Sequence, residues 1–440
     1  MIPTLRVYLL LLAGAGVATL LSIFWKHEAS LTVAIGLMLL WDVLVLGVMV
    51  LDGLLGRKCR VTVQREPLYK LSIGRDNPIT LQVTSQSTTA ELQIYDASPL
   101  KHFEISQPIL KAKLPANHTE TLTYTAKPTM RGEYKWGDIQ VRQLSPGKLC
   151  WMDWKIPHST KAEVFPDLVG LRSLSIRLTL QSTGAMKQAR RMGIGTEFAE
   201  LRDYATGDDP RLIDWKATAR RSRPLVRVLE PEQEQTLIIL LDRGRLMTAQ
   251  VQGLQRFDWG LNATLGLAMA GLRRGDRVGV GVFDRALHTW IPPQRGQAHL
   301  NHLLERLTPI QPELLEPDYL GAVNAIVSQQ SRRALVVVIT DVVDTTASAE
   351  LLVALTRLAP RYLPFCVTLR DAQIDKQAHQ FTSDVTSNYA RAVALDLLAQ
   401  RQVAFAELKR QGVLVLDAPA SQISDELVDR YLQLKLRNQL

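Results

Sequence analysis

Carboxylates and guanidinium groups alternate through residues 195–227, which makes this the stretch whose side chains could do chemistry. Its acids are Glu197, Glu200, Asp203, Asp208, Asp209 and Asp214, and its bases are Arg202, Arg211, Lys216, Arg220, Arg221, Arg223 and Arg227. Asp208 and Asp214 could serve as the paired carboxylates of a glycoside hydrolase. The surplus of arginines favours ion pairing instead, because a guanidinium group binds a carboxylate through two hydrogen bonds. Such pairing lowers the carboxyl pKa, which is the wrong direction for a general acid.

Two kinds of ion pairing remain open for this segment. The pairs could form a network that fixes the segment in place, or they could form a solvated belt that contributes little to stability. The two alternatives differ in how much water reaches the charged groups.

The rest of the sequence lacks the common catalytic signatures. It contains no G-x-x-x-x-G-K-[ST], no G-x-S-x-G, no H-E-x-x-H and no C-x-x-C, and its eight histidines do not cluster at ligand spacing. The three cysteines, Cys59, Cys150 and Cys366, are odd in number and lack the short spacings of zinc or redox sites. We therefore expect reduced thiols in a cytoplasmic compartment, no cofactor and no enzymatic activity.

Composition indicates a membrane protein with two or three folded units. A length of 440 residues is typical of two or three folded units. Hydrophobic residues make up 46% of the sequence, and the excess over an ordinary soluble chain is concentrated in the first fifty residues. A net charge of +9 would permit contact with nucleic acid or anionic lipid. No block of Lys and Arg stands free of acids, however, so we expect no nucleic-acid binding.

Residues 1–56 are predicted to form a transmembrane hairpin. Val7–Trp25 and Leu31–Leu51 are each long enough to cross about 30 Å of hydrocarbon as a helix. Arg6 precedes the first span and several bases follow the second, whereas Lys26 alone lies between them. The positive-inside rule therefore places both ends in the cytoplasm, as in a multi-pass protein of the inner (cytoplasmic) membrane. A signal peptide is the alternative, but no small-x-small cleavage site precedes the loop.

Asp42 lies near the middle of the second predicted span. An ionised carboxylate is costly there, so we expect its side chain to face a helix rather than lipid. Without a second charge in either span, a packing role is favoured over a proton relay.

Beyond the hairpin, the sequence divides into three parts. Residues 57–165 contain short β-rich runs separated by turn residues, which predicts an antiparallel β-sandwich-like domain. Residues 166–234 are interpreted as a linker or partly ordered lid followed by the charged segment. Residues 235–440 alternate strands with helices, which predicts a Rossmann-like α/β domain with a mostly parallel sheet covered on both faces.

Residues 197–242 also form a long ordered motif. It consists of Glu197-Phe198, Leu201-Arg202, Tyr204, Gly207-Asp208, Arg211, Ile213-Asp214-Trp215 and Ala219-Arg220, followed by a strand that ends in Asp242. This motif resembles the signature of domain-of-unknown-function family fifty-eight. The resemblance implies a bacterial membrane-anchored protein in which a von Willebrand factor A-like domain follows a β-rich region. It also implies association with MoxR-type AAA+ ATPases in complex assembly or envelope maintenance.

The same resemblance implies where a metal site would lie. A von Willebrand A domain normally carries a metal-ion-dependent adhesion site, written Asp-x-Ser-x-Ser with a distant Thr and Asp, at the carboxyl ends of its strands. Those oxygen ligands suit Mg²⁺. Asp242 and Asp341 match this pattern, whereas Gly244 and Leu246 replace both serines and Asp318 stands where the Thr is expected.

These departures predict a degenerate site. Two hydroxyl ligands are lost, and Arg243 and Arg245 add positive charge, so we expect no metal to bind. Arg243 or Arg245 is expected to neutralise Asp242 and Asp341 where an ion would otherwise lie.

The favoured function is a membrane-anchored, cytoplasm-facing adaptor or scaffold that docks a protein partner. One alternative is an envelope-modifying enzyme that uses Asp208 and Asp214. The other is a cation-dependent adhesion module, which would require the reversed topology.

Overall fold

The computed structural model describes residues 1–24, 28–179, 197–230, 235–330, 332–343, 346, 348–359, 361–380 and 384–437. The chain divides into two compact units, Met1–Phe165 and Pro166–Leu440. Of the segment interpreted as a linker or lid, residues 180–196 and 231–234 lie outside the described residues.

Two apolar helices, α1 (Leu5–Phe24) and α2 (Glu28–Lys58), begin the first unit. The indole Nε1 of Trp41 donates to the Leu10 carbonyl at 3.0 Å, and a Cβ at Gly14 would come within 2.2 Å of that ring. One described helix, Thr32–Lys58, is long and apolar enough to cross a membrane, and Leu5–Leu20 is a shorter apolar helix. This part of the chain therefore indicates membrane association.

Asp42 is half-buried in α2 rather than fully exposed. Its Oδ1 atom has no hydrogen-bond partner among the described residues.

The remainder of the first unit is β-rich. Its strands are β1 (Ile2–Pro3), β2 (Thr62–Arg65), β3 (Leu71–Ser72), β4 (Asn77–Thr84), β5 (Ala90–Asp96), β6 (Phe103–Ile105), β7 (Leu110–Leu114), β8 (Thr119–Pro128), β9 (Gly132–Trp136), β10 (Ile139–Leu144), β11 (Cys150–Ile156) and β12 (Thr160–Phe165). They form sheets in the orders β1-β11-β10-β5-β7, β2-β4-β8-β6 and β3-β12-β9, and only β3 and β12 pair in parallel. Alternate residues of β4 and β5 are buried, which is the pattern of strands with one face on a core.

Asp52 connects the end of α2 to the turn between β10 and β11. Its carboxylate accepts hydrogen bonds from the Ser145 hydroxyl at 2.5 Å, the Gly147 amide at 2.8 Å and the Leu149 amide at 3.2 Å. A Cβ at Gly147 would lie 2.9 Å from this carboxylate, so only glycine lets the backbone approach it.

The second unit alternates strands and helices. Its helices are α3 (residues 168–179), α4 (Trp215–Arg221), α5 (Arg256–Arg273), α6 (Gln297–Leu307), α7 (Tyr319–Gln329), α8 (Ala349–Leu358), α9 (Ala372–His379), α10 (Val385–Arg410) and α11 (Ile423–Leu436). Its strands are β13 (Glu197–Asp203), β14 (Leu225–Glu230), β15 (Thr236–Asp242), β16 (Gln250–Val251), β17 (Leu254–Gln255), β18 (Arg277–Phe283), β19 (Leu287–Gln294), β20 (Leu335–Thr340), β21 (Leu363–Arg370) and β22 (Leu414–Pro419).

Six of these strands form one mixed sheet in the order β19-β18-β15-β20-β21-β22. All neighbours are parallel except β18 and β19. Ile239 of β15 packs into a core with α5, α6 and α11, whereas Ile238 packs into a second core with α7, α8 and α10. Helices therefore cover both faces, as the alternating sequence pattern predicts, and β19 is an edge strand.

The start of the predicted linker folds differently from the expectation. Residues 168–179 form α3, whose Leu174 and Leu178 are buried in the same core as α5. The Asp167 amide donates to Asn262 Oδ1 at 2.9 Å, and Arg273 donates to the Ser175 carbonyl at 2.7 Å. The interpretation as a linker or lid is wrong for these residues, because their apolar side chains complete the α5 side of the sheet.

Candidate functional site

Asp242 ends β15 at the carboxyl edge of the sheet and is fully buried. Its Oδ2 atom accepts hydrogen bonds from the Thr340 hydroxyl at 2.7 Å and the Tyr319 hydroxyl at 3.1 Å, and its Oδ1 atom accepts one from the Gly244 amide at 2.7 Å. Burial raises the pKa of Asp242 to about 6, although these three donors oppose the shift. The carboxyl group is thus held by hydroxyl and amide groups, with no cation paired to it among the described residues.

Asp341 follows β20 and lies between two guanidinium groups. Arg401 of α10 contacts its Oδ1 atom at 2.7 Å, and Arg256 of α5 contacts its Oδ2 atom at 2.7 Å. Arg401 also binds Asp417 at 2.9 Å, and it is only 5% exposed. Both oxygens of Asp341 are therefore occupied by cationic side chains of the same chain.

The prediction that Arg243 or Arg245 neutralises Asp242 and Asp341 is wrong. Arg243 contacts Asp284 at 2.7 Å and Glu313 at 2.9 Å, and Arg245 contacts Glu316 at 2.7 Å on the surface. Successive side chains of an extended chain point to opposite sides, so Arg243 is directed away from the carboxylate that precedes it.

The pKa of Asp284 shows the effect of its ion pair with Arg243. Desolvation raises its pKa, but the hydrogen bond and the charge of Arg243 outweigh that effect and leave the pKa below its usual value.

The residues expected in a degenerate metal site do not make a cation pocket. A Cβ at Gly244 would lie 2.8 Å from the Leu315 carbonyl oxygen, so a serine does not fit there. The Leu246 carbonyl accepts a hydrogen bond from Arg256 at 3.3 Å, and Asp318 caps α7 through the Gly321 amide at 2.6 Å. Among the described residues no group of three or more His, Cys, Asp or Glu side chains could hold a metal ion. The side chains at this edge therefore do not fit Mg²⁺.

Sequence reasoning missed Arg256, Arg401, Tyr319 and Thr340. The signal for Arg401 was available, because it occupies the buried face of α10 together with Ala394, Ala404, Phe405 and Leu408. A charged residue at an apolar helical position indicates a buried counter-charge.

The charged segment forms a small hairpin of β13 and β14 with α4 between the strands. Arg202 binds Asp208 through two hydrogen bonds of 2.8 and 2.6 Å, and the Ala205 amide donates to Asp208 at 2.8 Å. The turn that places Asp208 includes Gly207, whose φ of 106° favours glycine. The guanidinium of Arg202 is the main cause that lowers the pKa of Asp208.

Asp214 is the N-cap of α4 and is paired as well. It accepts from the Ala217 amide at 2.9 Å and from Arg227 at 3.1 Å. The Ala217 amide is the first cause of the lowered pKa of Asp214, and Arg227 adds to it. A third pair joins Arg223 to Asp203 at 3.1 Å.

These pairs are in contact with water. The side chains of Arg202, Arg223 and Arg227 are 39%, 55% and 53% exposed. The described side-chain hydrogen bonds and ion pairs of residues 200–228 have both partners inside the segment. The geometry therefore matches the solvated alternative, in which Asp203, Asp208 and Asp214 are paired within the segment. The side chains of Glu197 and Phe198 lie outside the described part.

The exposed side chains of this segment include aromatic and basic residues. Trp215 is 69% exposed and Tyr204 is 38% exposed. Arg211 and Arg220 are also exposed, and no ion pair joins either to a residue that the structure describes.

The fold and these contacts describe a membrane-associated protein whose α/β unit holds Asp208, Asp214, Asp242 and Asp341 in internal contacts. Residues 200–378 match the family described as "Protein of unknown function DUF58", which confirms the resemblance. Uncharacterized protein Rv1480 of Mycobacterium tuberculosis is 27% identical over 151 residues, 34% of this chain and 48% of that protein. Uncharacterized protein YeaD of Bacillus subtilis is 28% identical over 109 residues, 25% of each chain. The chain thus spans about half the length of the mycobacterial relative.

Solved structures with partial similarity include two Bacteroides proteins. BatB of Bacteroides thetaiotaomicron is 15% identical, covering 46% of this chain and 98% of that one, with a TM-score of 0.32. An aerotolerance-related membrane protein of Bacteroides fragilis is 15% identical, covering 47% and 100%, with a TM-score of 0.31.

Proposed function

We propose that this protein is a membrane-anchored, cytoplasm-facing adaptor or scaffold that docks a protein partner through the exposed face of residues 201–221. In this proposal α1 and α2 cross the membrane as a hairpin, and the α/β unit is a von Willebrand A-like domain with a degenerate metal site. The resemblance to the family implies a MoxR-type AAA+ ATPase as the partner.

The exposure of Trp215 carries the proposal. A tryptophan that is 69% exposed leaves a large apolar surface in water, and Trp, Tyr and Arg are the side chains enriched in binding hot spots. Tyr204, Arg211 and Arg220 of the same segment belong to these types. Asp208 and Asp214 are paired with Arg202 and Arg227 inside the segment, so its exposed aromatic side chains and the other arginines remain available to a partner.

The contacts of the acidic groups support a binding role over the two alternatives. Asp208 and Asp214 accept hydrogen bonds from guanidinium and amide groups that lower their pKa, so neither has the character of a general acid. Asp341 is occupied by Arg256 and Arg401, which opposes cation-dependent adhesion.

The test is purification of the full-length protein from native membranes, with and without ATP, followed by identification of bound AAA+ ATPases. We expect Trp215→Ala to reduce recovery of the ATPase at least ~10-fold, because hot-spot truncations cost about 2 kcal/mol or more. Tyr389→Ala is the matched control, since Tyr389 of α10 is 74% exposed but lies outside the charged segment.

Two results would count against the proposal. Equal recovery of the ATPase with the Trp215→Ala variant and with the wild type would show that the partner does not dock on the face around Trp215. Failure to recover any AAA+ ATPase under either condition would remove the proposed partner.

A further inference from the structure

A polar cavity of about 530 Å³ lies at the amino ends of the central strands, at the edge of the sheet opposite Asp242 and Asp341. The residues that start β15, β18 and β20 line it: Thr236, Arg277 and Leu335. Its size falls within the range of about 300–1,000 Å³ typical of ligand sites. Nothing in the proposed adaptor function uses this cavity.

Three guanidinium groups surround the cavity. Arg277, Arg332 and Arg333 are exposed, and no ion pair joins any of them to another residue in the described part of the chain. They offer planar forks of donors that bind carboxylates through two hydrogen bonds. Three positively charged side chains that line one cavity, without a carboxylate partner among the described residues, favour an anionic ligand.

Asp276, the one acid among the described residues of the lining, does not offset this charge. It is 1% exposed, and Lys435 of α11 contacts it at 2.5 Å while the Tyr431 hydroxyl also donates to it. Burial raises the pKa of Tyr431, which keeps this hydroxyl a donor. Since Lys435 neutralises Asp276 within the fold, the arginines determine the charge of the described lining.

Hydrogen-bond acceptors in the lining of the cavity favour a peptide over a simple anion such as phosphate. The Oε1 atom of Gln235 is buried and has no hydrogen-bond partner among the described residues. A buried acceptor without a partner costs free energy until a donor reaches it. The side chains of Gln329 and Gln330 also line the cavity and can both donate and accept. A peptide supplies N–H donors beside its carboxylates, whereas a deprotonated phosphate supplies acceptors only.

We propose that this cavity binds an acidic peptide segment, with Arg277, Arg332 and Arg333 holding its carboxylates and Gln235 accepting from its backbone. The proposal is independent of the docking face around Trp215, because the residues of the two sites are different.

Binding of fluorescein-labelled hexaglutamate to the full-length protein, in nanodiscs of zwitterionic lipid at low salt, tests this inference by fluorescence polarisation. We expect Arg332→Glu/Arg333→Glu to weaken binding at least ~10-fold, because two charge-assisted contacts become repulsive. Gln235→Leu should weaken it by ~5-fold without changing the charge, since the acceptor is lost.

The matched control is Lys111→Glu/Lys113→Glu, an exposed basic pair on β7 whose reversal changes the net charge by the same amount. This control should leave hexaglutamate affinity within ~2-fold of wild type, because neither lysine lines the cavity. Thermal unfolding midpoints equal to that of the wild type establish that the variants are folded.

Three outcomes overturn the inference. Equal weakening by the arginine pair of the cavity and by the lysine pair of the control would show attraction to net charge without a site. Equal binding of hexaglutamine would remove the role of the carboxylates. Tripolyphosphate binding that matches hexaglutamate and is unaffected by Gln235→Leu would assign the cavity to phosphate instead of peptide.

Discussion

At the residue scale, the two aspartates at the carboxyl edge of the sheet have opposite electrostatic environments. Asp341 is the shared counter-charge of Arg256 and Arg401, whereas Asp242 is held only by hydroxyl and amide donors. Replacing Asp341 with Asn removes the carboxylate that pairs with Arg256 and Arg401, both of which are largely buried. We expect this change to lower the free energy of unfolding by about 3–5 kcal/mol. Asp242→Asn removes a buried charge that has no cation, so we expect it to be tolerated.

Urea unfolding of the full-length protein in detergent measures both changes. An Asp341→Asn variant within ~1 kcal/mol of wild type would contradict the assignment of Asp341 as the shared counter-charge.

The pH dependence of Asp242 has a defined sign. Its folded pKa of about 6 lies above the ordinary value of 3.8, so the folded state favours the protonated form. Relative to Asp242→Asn, the wild type should therefore gain stability as the pH falls from about 6 to 4 and lose it as the pH rises. The gain is on the order of 2–3 kcal/mol, from 1.4 kcal/mol for each unit of pKa difference. A difference between the two proteins that stays constant over pH 4–7 would contradict the raised pKa.

At the element scale, α2 contains one aspartate with several partners and one with an unpartnered oxygen. Asp52 accepts from Ser145, Gly147 and Leu149, whereas Asp42 has an Oδ1 atom without a described partner. Asp52→Ala should accelerate hydrogen exchange at the Gly147 and Leu149 amides by ~10-fold or more, since the loss of their acceptor costs about 1–3 kcal/mol.

Asp42→Ala is the matched control in the same helix and should leave those two amides unchanged. Equal exchange in the two variants would show that Asp52 does not hold the turn.

At the scale of the whole molecule, the proposed hairpin places both termini in the cytoplasm. A fluorescent protein that matures only in the cytoplasm should be bright when fused to either end of the chain. A cysteine introduced by Ser30→Cys between the two spans should react with an impermeant maleimide added outside intact cells, whereas native Cys59 at the end of α2 should not. A dark amino-terminal fusion with a bright carboxyl-terminal one would indicate that α2 alone crosses the membrane.

The sequence by itself determined the architecture of the α/β unit. Continuous apolar runs such as Leu237–Leu241, separated by segments of helical periodicity, predicted a sheet covered on both faces, and the order of charged and aromatic residues from 197 to 242 predicted the family. The family motif also indicated that Asp242 and Asp341 would lie near each other. The prediction of the sheet follows from local periodicity, which requires no knowledge of long-range contacts, whereas the proximity of the two aspartates was implied by the resemblance to the family.

Only the tertiary structure decided which cations reach those aspartates. Arg243 is adjacent to Asp242 in sequence but points away from it and pairs with Asp284. Arg401 lies 60 positions beyond Asp341 in sequence but contacts it from α10. The packing of α5 and α10 against opposite faces of the sheet brings Arg256 and Arg401 to one carboxylate. The cavity at the other edge likewise depends on strands β15, β18 and β20 becoming neighbours, and no local pattern encodes that arrangement.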